Sequence, residues 1–162
     1  MGYYIAIYVA SSSTENIVKI KWKEKLNSTR EMFYECIIKS IDLSNFDSSS
    51  VTDMYWMFAF SGVISLDLSS LNTSSVKNME NMFRFCKNLI SLDLSDFDTS
   101  SVTSMEGMFY FCENLISIDL SNFNTSSVIN MGGMFSWCGK LISIDLSNFN
   151  TSSVINMESM FN

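Results

Sequence analysis

Five aspartates recur in one setting. Asp42, Asp67, Asp93, Asp119 and Asp145 each sit in the pattern Leu/Ile-Asp-Leu-Ser, at an almost constant step along the chain. Ser65, Ser91, Ser117 and Ser143 precede them, and Ser69, Ser95, Ser121 and Ser147 follow. Stacked carboxylates of this kind could meet a basic partner or Ca²⁺, which takes oxygen ligands. A straight ladder does not converge the six to eight oxygens Ca²⁺ needs. The plainer reading is a solvated polar face, since repetition propagates any residue it contains. A second column is aromatic: Phe60, Phe85, Phe111 and Trp137, with Tyr55, Trp56 and Tyr110 nearby. Exposed, it is a contact stripe, because aromatic residues dominate interface hot spots. Buried, it fills space between two segments, which the rarity of large apolar patches on monomers favours. These nine residues are the candidate partner-binding positions.

Other chemistry is thinly represented. The chain has no His, so the commonest general base and metal ligand is missing. Abundant Ser without His or a placed Lys makes no nucleophile. Cys36, Cys86, Cys112 and Cys138 are spaced by two repeat periods, then one, then one, which is no metal-ligand pattern. They are expected to be free, small and buried. No catalytic residue, cofactor site or metal site is expected, and the chain is not read as an enzyme. The net charge of −7 argues against nucleic acid and anionic lipid. No apolar run is long enough for a transmembrane helix. The start, Met1 to Ala10, is apolar but lacks a basic segment before it, so it reads as a strand and not as a clear signal peptide.

Asn27-Ser28-Thr29, Asn72-Thr73-Ser74, Asn124-Thr125-Ser126 and Asn150-Thr151-Ser152 match the glycosylation sequon. Asp47 and Asp98 hold the same corner place in other turns, which favours turn formation as the role.

The elements that position these columns follow from the period. Met-Phe pairs recur at 32–33, 57–58, 82–83, 108–109, 134–135 and 160–161. A fixed period of this length signals a stacked array. Each turn divides into a short strand such as Leu66-Asp67-Leu68, a polar corner with one apolar plug (Phe46, Leu71, Phe97, Phe123, Phe149), and a return segment. In the return segment Val76, Met79, Met82-Phe83 and Cys86 fall at helical spacing. The expected fold is therefore α/β: a solenoid of strand–corner–helix turns, with a parallel sheet on one face and short helices on the other. Gly132-Gly133 is expected to fray its helix, each Gly costing about 1 kcal/mol. Residues 1–30, with strands over Tyr3–Val9 and Ile17–Trp22, read as an N-terminal β cap or degenerate first turn, and 31–162 as the array of about five turns. The last turn stops short of its Cys position, so the array is expected to continue or to meet a partner at that end.

The motif LxSLDLSxFxTSSVxxMxxMFxxC resembles the 26-residue repeat of bacterial surface proteins, the BspA-like leucine-rich-repeat-like group, over residues 31–162. The resemblance implies a leucine-rich-repeat-like solenoid at a cell surface or secreted, with protein binding and adhesion as its proposed roles. It brings no catalytic residues. Phe60, Phe85, Phe111 and Trp137 stand where that family often has Gly.

The expected function is a non-enzymatic recognition or adhesion module for a protein or glycan ligand. Two alternatives are an intracellular interaction scaffold, for which the absence of a clear signal peptide leaves a cytoplasmic location open, and a structural spacer without a specific ligand.

Overall fold

A computed structural model describes residues 6–12, 15–21, 25–37 and 40–162. Five strands are present among them: β1 (Ala6–Ser12), β2 (Glu15–Lys21), β3 (Ser40–Asp42), β4 (Ser91–Asp93) and β5 (Ser117–Asp119). β1 and β2 form an antiparallel hairpin, and β2 pairs in parallel with β3 through Val18 and Ile41. β4 and β5 pair in parallel, Asp93 opposite Asp119. Tyr3–Ile5 and Trp22, the outer ends of the two expected N-terminal strands, lie outside the described residues.

The expected α/β solenoid of strand–corner–helix turns is overturned. No helix occurs among the described residues. Of the five expected strands in the Leu/Ile-Asp-Leu pattern, only β3, β4 and β5 form. The return segment is instead a run of tight turns. In the second return segment the N–H groups of Met57, Ala59 and Ser61 close turns on the carbonyls of Met54, Trp56 and Phe58. The alternate N–H groups, those of Met54, Trp56, Phe58 and Phe60, donate to Asn78, Glu80, Met82 and Arg84 of the following turn. Isolated parallel bridges link Ser28, Asp53, Asn78, Ser104, Asn130 and Asn156 in succession.

The physical reason for the error is visible in the backbone. Each turn closes between residues i and i+3, a spacing shared with one face of a helix, so the run buries Met54, Met57, Phe58 and Ser61 as a helix would. A helix cannot form because two residues per return segment are left-handed. Trp56 (φ 55°) and Phe60 (φ 58°) are one such pair, and Asn81 and Phe85 (both φ 56°) the next. Gly107 (φ 58°) and Gly133 (φ 62°) occupy the first left-handed place in later turns. Gly133 is thus a turn residue in its permitted conformation, and the expectation of a frayed helix falls with the helix.

The core lies inside the stacked turns. Phe33, Phe58, Phe83, Phe109 and Phe135 are buried in one column, with ring centroids 5.3–5.6 Å apart and interplanar angles of 1–11°. Met54, Met79, Met105 and Met131 form another buried column, and Leu68, Leu94 and Leu120 a third on the sheet side. Buried Thr hydroxyls tie the corners: Thr73, Thr99 and Thr125 donate to the carbonyls of Asp98, Asn124 and Asn150, each at 3.0 Å. In the final turn Ile144, Leu146, Phe149 and Val154 are only half-buried.

Candidate functional site

The aspartate column stands on the outer face of the strand segments, and all five side chains are exposed. Strand alternation accounts for this: Leu92 and Leu94 turn inward, so Asp93 turns out. Each carboxylate is held by the serine two residues on. The Ser69 N–H and hydroxyl donate to Asp67 Oδ1 at 3.1 and 2.6 Å, and the N–H groups of Ser44, Ser95, Ser121 and Ser147 make the same bond at 2.9–3.0 Å. The Ser69 hydroxyl and then its N–H hold Asp67 below the usual carboxylate range. For Asp93, Asp119 and Asp145 the serine N–H acts first and the hydroxyl second, with the same sense. Neighbouring aspartates oppose the shift, Asp93 on Asp119 for example. An open cleft of about 460 Å³ runs beside Asp93, Asp119 and Asp145. Among the described residues, no group of three or more Cys, Asp or Glu converges as a metal site.

The aromatic column lies on the return-segment side. Phe60 is 39% and Trp137 50% exposed, and Phe85 and Phe111 are half-buried between them. The rings stack in sequence at 4.5, 4.8 and 5.2 Å between centroids. All four residues are left-handed, with φ from 56° to 61°. For an L-residue that conformation costs about 1–2 kcal/mol. Glu35 holds the same place at the head of the column, with φ 54°.

Sequence reasoning missed the cations that decorate this column. The Arg84 guanidinium lies 4.0 Å over the Tyr110 ring and 5.2 Å from Phe85. The Lys87 ammonium lies 5.3 Å from Phe111 and 2.9 Å from Glu113. Arg30 covers Tyr55 at 3.9 Å. Their signal was available: Arg84 and Lys87 flank Phe85-Cys86 directly. The two columns are separate. The aspartates stand on the strand face and the aromatics on the return segment.

The remaining candidates resolve into structural parts. All four thiols are free. Cys86, Cys112 and Cys138 donate to the carbonyls of Phe58, Phe83 and Phe109 at 3.0–3.1 Å. Burial pushes the Cys86 and Cys138 thiols up to about 11. The corner asparagines are turn formers: Asn72 Oδ1 accepts from the Ser74 N–H at 3.1 Å, and Asn124 and Asn150 do the same for Ser126 and Ser152. No helix among the described residues is long and apolar enough to cross a membrane.

No curated protein and no solved structure matches the chain. One family matches twice, over residues 6–114 and 85–162, and such overlapping matches fit a chain that repeats itself. With the repeat in the sequence and its stacked turns described, the chain belongs to the family described as Mycoplasma protein of unknown function, DUF285.

Proposed function

We propose that this chain is a non-enzymatic recognition module that meets a protein or glycan partner through its outer aromatic column. One observation carries the reading. Phe60, Phe85, Phe111 and Trp137 keep bulky rings at four successive left-handed positions, where glycine would be free of strain. Strain held at a surface, with no full burial to offset it, points to selection for the side chain itself. Aromatic residues with arginine beside them also have the composition of interface hot spots. The finer likeness to BspA-like surface repeats fits this reading, and so does a place at the cell surface with adhesion as the role.

The test is a paired substitution, Phe85→Gly with Phe111→Gly. It removes two rings and relieves two strained residues. Wild type and variant are compared for binding to immobilised extracellular proteins and a glycan array, alongside thermal melting. Lost binding with an unchanged melting temperature supports the reading. Retained binding, or a large drop in melting temperature, overturns it. Membrane-impermeant labelling of intact source cells tests the surface location; label seen only after lysis moves the search to intracellular partners.

A further inference from the structure

The left-handed column that begins Glu31, Trp56, Asn81 continues with Gly107 and Gly133. Two successive turns therefore lack the side chain that earlier turns carry there. Asn81 and Arg84 fill the place over Gly107, so the notch of about 200 Å³ opens beside Gly133, lined by Arg84, Glu106, Tyr110, Gly133, Asn156 and Glu158 among others. The Tyr110 ring lies against Gly133: a Cβ placed there would sit 3.5 Å from Tyr110 Cδ2. Arg84 packs on the ring from the preceding turn. Its guanidinium uses one donor on Asn81 Oδ1 at 3.1 Å and has no carboxylate within salt-bridge distance among the described residues. Further donors remain for an occupant.

The chemistry of the lining selects the class of occupant. One aromatic ring shares the notch with a guanidinium, two carboxylates and a primary amide, so both donors and acceptors border an apolar patch. Glu106 and Glu158 outnumber Arg84, which disfavours an anion. The notch is too small for a folded partner and too polar for a lipid tail.

We propose that the Tyr110 notch binds one uncharged hexopyranose unit, plain or N-acetylated. The proposal rests on the recognition reading and narrows it, since Arg84 and Tyr110 adjoin the outer aromatic column. In it, the sugar ring's C–H face packs on the side of the Tyr110 ring away from Arg84, beside Gly133. The Arg84 guanidinium and Asn156 amide donate to ring hydroxyls, and Glu106 and Glu158 accept from them.

Saturation-transfer NMR on the full chain tests this, with the methyl glycosides of glucose, galactose, N-acetylglucosamine, N-acetylgalactosamine and N-acetylneuraminic acid as probes. Transfer to one or more of the four uncharged glycosides is expected, with at least a tenfold weaker signal in Tyr110→Ala and in Gly133→Asn. The second variant refills the notch with a residue that Asn81 shows the backbone accepts at φ 56°. An unchanged melting temperature for Gly133→Asn keeps the result interpretable if Tyr110→Ala unfolds. No transfer from any glycoside, transfer to the anionic glycoside alone, or transfer that survives Gly133→Asn overturns the proposal. A chain that loses protein partners on Phe85→Gly with Phe111→Gly yet gives no sugar signal would sink the notch and leave the recognition reading standing.

Discussion

Two columns of aromatic rings run along the same stack with the same period, and they differ in almost everything else. The inner column, Phe58 to Phe135, is fully or almost fully buried and nearly parallel. The outer column, Phe60 to Trp137, stacks more closely, at 4.5–5.2 Å, yet stays partly in solvent. Stacking is therefore a product of the repeat, while burial is a product of which way each turn points its residue. The inner rings are accounted for by the apolar surface they remove from water. The outer rings gain less of this and sit on strained backbone.

Substitution should separate the two columns sharply. Phe83→Ala, in the inner column, is expected to cost about 3–5 kcal/mol; urea unfolding measures it, and a cost below about 1 kcal/mol would erase the distinction between the columns. The contrast extends to polar columns. Thr99→Val keeps the shape but orphans the Asn124 carbonyl and N–H, which the hydroxyl now serves at 3.0 and 2.8 Å. A loss of about 2 kcal/mol is expected in the same assay.

The thiol column gives a prediction in pH. Cys86 and Cys138 have folded values near 11, above their ordinary 9.0, so the folded chain holds protons that the unfolded chain releases. Their contribution is intact below pH 9 and is lost as pH rises toward 11. Stability should fall between pH 9 and 11, and the fall should become shallower in Cys86→Ala with Cys138→Ala, with Cys112, which burial also pushes well up, accounting for what remains. In the outer column, Phe85→Gly trades about 1–2 kcal/mol of relieved left-handed strain against the flexibility of glycine. The melting temperature should barely move, and a drop matching that of Phe83→Ala would make the two columns one core. The smallest effect belongs to the exposed aspartates. Asp93 and Asp119 are held below the usual range, so what they contribute is present above about pH 4 and lost as pH falls through their folded values. Asp93→Asn with Asp119→Asn should lower stability slightly at pH 7 to 8 and flatten the acid limb of the stability curve, with no difference from wild type below the folded values.

The stack and its buried columns were legible because identity recurs at a fixed step: every Met and Phe of the core could be named from the period alone. The helix was not, because i to i+3 turns and a helix ask for the same apolar spacing. What separates them is handedness, and residues such as Trp56 and Phe60 carry no mark of it. The one mark was Gly107 and Gly133, set one repeat apart in the same column as Asn81. Glycine and asparagine are the residues that tolerate a left-handed backbone. The candidate site was half legible. Its aromatic and aspartate positions follow from the repeat, whereas the cations over the rings and the notch at Gly133 depend on departures from it.

Every return segment joins its neighbour through the same bridge position, from Ser28 through Asn156, so each layer interacts mainly with the layers beside it. Turns that differ in length by a single residue coexist because the difference falls in the link between Ser61 and the next Leu-Asp-Leu segment, outside the bridged segment. A duplicated or deleted unit would therefore splice into the ladder without disturbing its register. Copy number becomes a heritable dial: unequal exchange between repeats could lengthen or shorten the outer aromatic column in one genetic event, while every surviving layer keeps the packing it already had.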